Sequence, residues 1–211
     1  NNTYTTKYTY DGMGNLVKIV DALNNVRNFT YDGLGRRTKA EDLHASGDST
    51  FGIWNYQYNL VGNLESRSDA NGTKVLYSYD VLNRVVTENV GGNITTTYTY
   101  DTCPKGIGRV CSVVNSALTQ SSEYNILGQV VKETKVINSQ TFINESSYDR
   151  QGSVVKIKNP DSSEIKYSYN VAGQVDSVQS KESGSSNFGN VVLNIDYTPT
   201  GSISNEEYAN G

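Results

Sequence analysis

One short motif recurs nine times along this chain and dominates what the sequence can fold into. It reads tyrosine, aspartate or asparagine, two variable residues, glycine, a polar residue and an aliphatic residue, as in residues 10–16, YDGMGNL. Successive copies begin 21, 27, 21, 21, 24, 24, 21 and 28 residues apart. A period of this length indicates a repeat architecture in which each copy is one small supersecondary unit.

Each position of the motif fits a tight reversal of the chain. The residue before the tyrosine is polar, so Tyr77 and Tyr79 would lie on one face of a strand and Ser78 on the other. A short Asx side chain at the first turn position accepts hydrogen bonds from the following amides. The glycine is replaced once, by Asn83, and asparagine tolerates positive φ better than other non-glycine residues. We therefore predict a type I turn closed by a residue in the left-handed conformation.

The residues at these turns are predicted to be structural. The ninth copy carries Thr198 in place of the Asx residue. Copy by copy, the predicted turn residues are Tyr10, Asp11 and Gly14; Tyr31, Asp32 and Gly35; Tyr58, Asn59 and Gly62; Tyr79, Asp80 and Asn83; Tyr100, Asp101 and Gly108; Tyr124, Asn125 and Gly128; Tyr148, Asp149 and Gly152; Tyr169, Asn170 and Gly173; Tyr197 and Gly201.

A second turn signal lies between the copies, as in residues 69–72, DANG. Each repeat would therefore contribute two strands and two turns, and no stretch has a sustained helical period. We predict an all-β fold of about 17 or 18 strands in one antiparallel meander. Residues 1–211 would form a single array of about nine repeats of 21–28 residues, with longer loops at residues 44–49 and 181–190.

The composition narrows the possible classes of function. One histidine and two cysteines are too few for most metal centres or nucleophile–histidine pairs, so we predict no catalytic residue, metal or cofactor. The net charge of −4 argues against a nucleic-acid partner, and no run of about 18 apolar residues could span a membrane. His44 is expected to be a solvated loop residue. Trp54 is expected to pack on the same strand face as Tyr56 and Tyr58.

The motif and its continuation closely resemble the YD-repeat, or RHS-repeat, family. The resemblance rests on sequences such as residues 31–36, YDGLGR, and 79–84, YDVLNR, and it covers nearly the whole chain. The family includes bacterial RHS polymorphic toxins, the C subunits of insecticidal toxin complexes, bacterial wall-associated proteins and animal teneurins. The resemblance implies tandem β-hairpin repeats that form a curved, spiralling antiparallel sheet, a segment of a hollow shell.

The resemblance also implies a function. It points to a structural, non-catalytic shell segment that in the full-length protein encapsulates or delivers a C-terminal toxin, secreted or at the bacterial cell surface. The partners would be the remainder of the shell and its enclosed C-terminal domain. The three prolines follow Cys103, Asn159 and Thr198, so the Asp-Pro self-cleavage signature of toxin members is absent. Together with repeat-like sequence at both ends, this predicts a partial shell segment.

The alternative is a cell-surface adhesin or a carbohydrate- or cell-wall-binding module with glycans as partners. Hairpin repeats of about 20 residues that bind choline or glucans are also rich in aromatic residues. Those repeats typically use cages of tryptophan, and this chain has one tryptophan. The tryptophan count therefore favours the shell interpretation.

Two cysteines accompany the one enlarged turn. Four extra residues separate Asp101 from Gly108, Cys103 lies within this insertion, and Cys111 stands where other copies have a second valine. We favour a Cys103–Cys111 disulfide that pins the widened turn, as fits an extracellular or periplasmic protein, with free thiols as the alternative.

Tyrosine suits the wall of a hollow shell with water on one face, because its ring packs against neighbouring side chains while its hydroxyl group reaches water. Rings in neighbouring repeats would add cross-strand aromatic pairs. The exposed edge strands at both ends of the array predict self-association.

Overall fold

The structure of the chain is a computed structural model that describes residues 4–210. The chain divides into two compact units, Asn1–Thr97 and Tyr98–Gly211. Every regular element within residues 4–210 is a β-strand, and the resolved pairings are all antiparallel. The predicted all-β class is therefore confirmed.

The first unit is an antiparallel meander. Its strands are β1 (Lys7–Tyr10), β2 (Leu16–Val20), β3 (Asn25–Tyr31), β4 (Arg37–Glu41), β5 (His44–Ala45), β6 (Ile53–Tyr58), β7 (Leu64–Ser68), β8 (Lys74–Tyr79), β9 (Val85–Val90) and the start of β10 (Ile94–Tyr100). Consecutive strands pair, apart from a detour in which β4 pairs with β6 and the short β5 pairs with the beginning of β3.

The second unit continues the same pattern of consecutive pairing. After the end of β10 its strands are β11 (Val110–Val114), β12 (Leu118–Tyr124), β13 (Val130–Ile137), β14 (Gln140–Tyr148), β15 (Val154–Lys158), β16 (Glu164–Tyr169), β17 (Val175–Lys181), β18 (Gly189–Tyr197) and β19 (Ile203–Tyr208). Residues 4–210 thus hold 19 strands, against the expected 17 or 18. One addition is β5, which lies in the segment predicted to be a long loop.

A β-bulge follows the motif turns. Tyr10 pairs with Leu16, but Thr9 pairs with Lys18, so Val17 is an extra residue on the strand that leaves the turn. A bulge increases the local twist of a strand pair. The residue pattern of the motif does not predict this bulge. Equivalent register shifts occur beside Tyr31, Tyr58, Tyr79, Tyr124, Tyr148, Tyr169 and Tyr197.

Burial is shallow in both units. On β6, Trp54, Tyr56 and Tyr58 are half-buried while Asn55 and Gln57 are exposed, which is the alternation expected of a strand with one covered face. The predicted position of Trp54 beside the two tyrosines is therefore confirmed. Most covered strand residues elsewhere are likewise only half-buried. The hydrophobic core that stabilises most domains is thin here, so links between hairpins carry more weight.

Candidate functional site: the turn edge between neighbouring hairpins

The motif turns are three-residue reversals. In the first copy, Gly14 N–H donates to Asp11 O at 3.1 Å and Asp11 N–H donates to Asn15 O at 2.9 Å. Gly14 has a φ of +86°, in the left-handed region that strains residues with a Cβ. The equivalent position has positive φ in all nine copies. The values are +86° at Gly14, +76° at Gly35, +95° at Gly62, +61° at Asn83, +79° at Gly108, +81° at Gly128, +94° at Gly152, +77° at Gly173 and +85° at Gly201.

The Asx side chain caps the turn from inside. Asp32 Oδ1 accepts hydrogen bonds from Leu34 N–H at 2.9 Å and from Arg36 N–H at 3.0 Å. The Arg36 amide, followed by its guanidinium group, lowers the pKa of the Asp32 carboxyl. The carboxylate is thus held in its charged, accepting form. Six other Asx side chains accept the same two hydrogen bonds from backbone N–H groups: Asp11, Asn59, Asp80, Asn125, Asp149 and Asn170.

Several second turns repeat this geometry. Asp21 caps the amides of Leu23 and Asn25, and Asn24 occupies the left-handed position with a φ of +62°. Two repeats later, Asp69 caps the turn in the same way and Gly72 occupies the left-handed position. The hairpins are therefore closed by one turn chemistry at many of their reversals.

In seven of the nine motifs the tyrosine joins its hairpin to the preceding one. Tyr31 Oη donates a hydrogen bond to Leu16 O at 2.9 Å, across 15 residues of sequence. We call this contact the tyrosine link. Its acceptor is always the first residue of the strand that leaves the preceding turn. The other links are Tyr58 to Arg37 (3.0 Å), Tyr79 to Leu64 (2.7 Å), Tyr124 to Val110 (2.6 Å), Tyr148 to Val130 (2.8 Å), Tyr169 to Val154 (2.7 Å) and Tyr197 to Val175 (2.8 Å).

The tyrosine link corrects one expectation from the sequence. These hydroxyl groups were expected to reach water, but in seven copies they bind a backbone carbonyl oxygen of the neighbouring hairpin. A phenylalanine ring could pack in the same place but could not donate this hydrogen bond. The link therefore gives a reason for tyrosine in place of phenylalanine at seven of the 16 tyrosine positions, which ring packing alone does not explain.

A second contact starts from the residue directly after the left-handed one, which we call the spanning position. At this position Arg36 lies between two hairpins: its guanidinium group binds Asp32 Oδ2 at 2.7 Å and stands 4.7 Å from the centre of the Tyr58 ring. Its Nη1 also lies 3.5 Å from Asn59 O. One side chain thus joins a carboxylate of its own turn to an aromatic ring and a carbonyl of the next.

Other spanning residues reach the next turn in different ways. Asn63 donates to Asn83 Oδ1 at 2.7 Å, and Gln129 donates to Gly152 O at 3.0 Å. The Arg109 guanidinium lies over the Tyr124 ring at 5.6 Å and directly against Gly128. A Cβ at Gly128 would lie 2.6 Å from Arg109 Nε, well inside contact distance. At some turns glycine is therefore required because a side chain would clash with the neighbouring spanning residue, as well as for its backbone conformation.

The enlarged turn holds a disulfide. Cys103 and Cys111 are bonded, and Cys111 is 4% exposed. Gly106 lies against the bridge, because a Cβ there would stand 2.7 Å from Cys111 Sγ and 3.0 Å from Cys103 O. The insertion also changes the start of the turn, where Asp101 adopts a φ of +68° and accepts a hydrogen bond from Gly108 N–H at 2.6 Å.

His44 is not a solvated loop residue, and that prediction was wrong. Its side chain is 9% exposed, stacks on Phe51 with ring centroids 3.7 Å apart, and places Nδ1 2.8 Å from Asp42 O. Trp54 Nε1 donates to Asp42 Oδ1 at 3.1 Å in the same region. Aspartate and aromatic residues thus order a segment that the sequence presents as a polar loop.

The described part of the chain contains no cluster of three or more histidine, cysteine, aspartate or glutamate residues that could hold a metal ion. It also contains no helix of the length and hydrophobicity needed to cross a membrane. The recurrent chemistry of the turn edge is hydrogen bonding and cation–π contact between hairpins.

Fold and turn edge together define a tandem β-hairpin repeat protein whose neighbouring hairpins are joined by recurrent side-chain links. The family model for the teneurin YD-shell matches residues 1–122, which is more than half of the chain. The chain belongs to this family, and the resemblance found in its repeats is confirmed. It is a segment of a YD-shell.

Solved structures of toxin-complex proteins are similar to this chain. A crystal structure of TcdB2-TccC3 matches at 14% identity and a TM-score of 0.45, and a form without its hypervariable C-terminal region matches at 14% and 0.46. A Tc holotoxin pore from Photorhabdus luminescens matches at 13% and 0.45. Each match covers 98% of this chain but only 16% of the other chain. No curated protein matched this chain.

Proposed function

We propose that this chain is part of the wall of a larger shell, and that the full-length protein uses the shell to enclose or deliver a C-terminal toxin. The observation that carries the proposal is the tyrosine link, which joins one hairpin to the next in seven copies. A wall that encloses a cargo must resist opening between neighbouring strands. Side-chain links add to the main-chain ladders at the edge where those ladders end.

The partners in this proposal are the remainder of the shell and its enclosed C-terminal domain. The turn apices support a partner of this kind, since they carry apolar side chains where polar residues are usual. Leu60 and Val61 are 107% and 73% exposed, and Ile126 and Val171 are 83% and 109% exposed. Burial of these side chains against other parts of the shell would remove apolar surface from water.

The proposed location is outside the cytoplasm, in a secreted or cell-surface protein of a bacterium. The Cys103–Cys111 disulfide supports this location, because disulfides persist mainly in oxidising compartments. Intact-mass analysis with and without reductant tests the bridge. A chain that does not gain the mass of the two thiol hydrogens on reduction would contradict it.

Limited proteolysis of the full-length protein tests enclosure. We expect the segment C-terminal to the shell to survive protease at times when the same segment, expressed alone, is digested. A variant that loses three links, Tyr124→Phe with Tyr148→Phe and Tyr169→Phe, should release or expose the segment sooner. Digestion at equal rates in the shell protein and in isolation would refute enclosure.

The contacts of the turn tyrosines weigh against the adhesin alternative. In seven copies their hydroxyl groups bind backbone carbonyls, and the rings of Tyr58 and Tyr124 lie under arginine side chains. These aromatic groups therefore already have partners within the chain.

A further inference from the structure

One spanning position differs from its neighbours. Between the hairpins of Tyr148 and Tyr169 this position holds Ser153, whose side chain makes no hydrogen bond within residues 4–210. A Cβ placed on Gly173, in the next turn, would meet nothing within 4 Å, whereas at Gly128 it would meet Arg109. The place that a long polar side chain fills elsewhere on the turn edge is therefore left open here.

A recess of about 450 Å³, open to solvent, lies between the turn that begins at Asp149 and the strand β16 that leads to Tyr169. The groups that line it come from both hairpins and include a carboxylate, an exposed arginine and two aromatic rings. The lining residues that matter for recognition are Asp149, Arg150, Tyr167, Tyr169 and Asn170.

Three of these residues correspond to the groups that hold the Arg36 guanidinium. Asp149 corresponds to Asp32 as the Asx cap, Tyr169 corresponds to Tyr58, and Asn170 corresponds to Asn59. The internal repeat therefore supplies a direct comparison between a filled and an unfilled version of the same arrangement.

The carboxylate of Asp149 has one oxygen available. Its Oδ1 accepts the amides of Gln151 and Ser153, both at 2.9 Å. Its Oδ2 makes no hydrogen bond or ion pair within the described residues, whereas Oδ2 of Asp32 binds Arg36 at 2.7 Å. Asp149 also acts on the ring beside it: burial, and then the charge of Asp149, raise the pKa of the Tyr169 hydroxyl.

We propose that this recess binds a guanidinium group, supplied by an arginine side chain or by free arginine, in the position equivalent to that of the Arg36 guanidinium five repeats earlier. The carboxylate of Asp149 would accept charge-assisted hydrogen bonds, and the Tyr169 ring would take the planar face of the cation. An ammonium group is a compact point charge and matches this arrangement less well. This inference is independent of the enclosure proposed above.

Arg150 is the competing charge in the recess. It lies in the turn apex, is exposed, and makes no ion pair among the described residues. Because like charges repel, its removal should favour a cationic ligand.

The first experiment fills the recess from within the chain. Ser153→Arg should raise the Tm by about 2 °C, since the new guanidinium group would contact Asp149 and the Tyr169 ring as Arg36 contacts Asp32 and the Tyr58 ring. The matched control is Ser202→Arg, at the spanning position of the last motif, where Thr198 replaces the carboxylate and no further hairpin follows among the described residues. An equal rise in both variants, or none in Ser153→Arg, would contradict the proposal.

The second experiment measures binding on the purified chain by NMR, with capped arginine (N-acetyl-arginine methylamide), capped lysine and free arginine at constant ionic strength. Capped arginine should shift the amide signals of Gln151, Ser153 and Asn170, and should bind more tightly than capped lysine. If free arginine binds more tightly than capped arginine, the natural ligand is the free amino acid. If capped arginine binds more tightly, the natural ligand is an arginine side chain of a protein.

Variants complete the test. Asp149→Asn keeps the capping oxygen that asparagine supplies in other turns, so the hairpin should fold while binding weakens about tenfold, the loss of one charge-assisted hydrogen bond. Ser153→Arg should abolish binding, and Arg150→Ala should strengthen it. Binding that is unchanged in Asp149→Asn and Ser153→Arg, or lost in Arg150→Ala, would overturn the proposal.

Discussion

The hydroxyl group of Tyr169 donates a hydrogen bond of 2.7 Å to the backbone carbonyl oxygen of Val154, the first residue of the strand that leaves the preceding turn. Tyr167 lies two residues earlier on the same face of β16, but its hydroxyl makes no hydrogen bond within the described residues. The two tyrosines of this strand thus differ in whether the hydroxyl group has a hydrogen-bond acceptor. Comparing them separates the contribution of the tyrosine link to stability from that of ring packing.

Tyr169→Phe should destabilise the chain by about 1 kcal/mol, because it removes the donor and leaves the Val154 carbonyl without its partner. For a chain of this size that loss corresponds to a decrease in Tm of about 2–4 °C. Thermal unfolding followed by circular dichroism measures it. Tyr167→Phe is the control and should leave Tm nearly unchanged. Equal losses in both variants would show that the link adds nothing beyond the ring.

The tyrosine link shows where prediction from the sequence stops. The period and the alternation placed Tyr169 on a strand before a turn, and the structure has it there. The acceptor is a backbone carbonyl 15 residues away. Every residue has a backbone carbonyl, so the pattern of side chains does not indicate which one accepts the bond. The β-bulge at Val155 is hidden for the same reason, since it is a property of the pairing of two strands and not of either strand alone.

Gly128→Ala should destabilise the chain more than Gly173→Ala. Both glycines have positive φ, +81° and +77°, so each substitution carries the cost of left-handed backbone, about 1–2 kcal/mol. At Gly128 the new methyl group would also displace the Arg109 guanidinium from the turn, whereas at Gly173 it would meet nothing. Urea unfolding of the two variants compares the losses. In an Arg109→Ala background the difference between them should disappear, and a difference that persists would rule out this cause.

The substitution of asparagine for glycine at residue 83 was enough to predict a left-handed backbone position, which has a φ of +61°. The close approach of Arg109 to Gly128 could not be predicted, because the two residues belong to different hairpins. The same limit explains His44. Its burial against Phe51 depends on the two-residue strand β5 pairing with β3, and the intervening sequence is polar.

The stability of the chain should decrease as the pH falls below about 4, the ordinary range of aspartate. The pKa of Asp32 is lowered by the Arg36 amide and guanidinium, and that of Asp80 is lowered by the Arg84 amide and guanidinium. A carboxyl group with a folded-state pKa below its unfolded value contributes stability above the unfolded pKa, and this contribution is lost as pH falls through the folded pKa. Chemical unfolding from pH 7 to pH 2 follows the change.

The matched variant for this prediction is Asp32→Asn with Asp80→Asn. Asparagine caps the equivalent turns at Asn59 and Asn125, so the fold should persist. The acid-dependent part of the unfolding free energy should become smaller because two titrating groups are gone. An unchanged pH profile would mean that the caps do not respond to protonation.

Gly106→Ala should destabilise the enlarged turn through contact with the disulfide. Its methyl group would meet Cys111 Sγ and the Cys103 carbonyl oxygen, and Gly106 itself is buried although Lys105 and Ile107 beside it are exposed. Unlike the glycines of the motif turns, Gly106 does not have positive φ. The loss of stability in Gly106→Ala therefore reports steric contact without a contribution from backbone strain. After reduction the sulfur atoms can move apart, and the difference from the wild type should shrink. A loss of the same size in the reduced chains would exclude the disulfide as its cause.

The last strand of the second unit should open first. All six residues of β19 are exposed, and within residues 4–210 this strand pairs only with β18, whereas β13 lies between β12 and β14. In a repeat array each unit is stabilised mainly by its neighbours, so a strand with one neighbour has the least protection. Within the second unit, hydrogen exchange should therefore be fastest in Ile203–Tyr208 and slowest near Val130–Ile137. If β19 instead exchanges as slowly as β13 and its protection rises with protein concentration, the edge strand is covered by a second copy, as the predicted self-association requires.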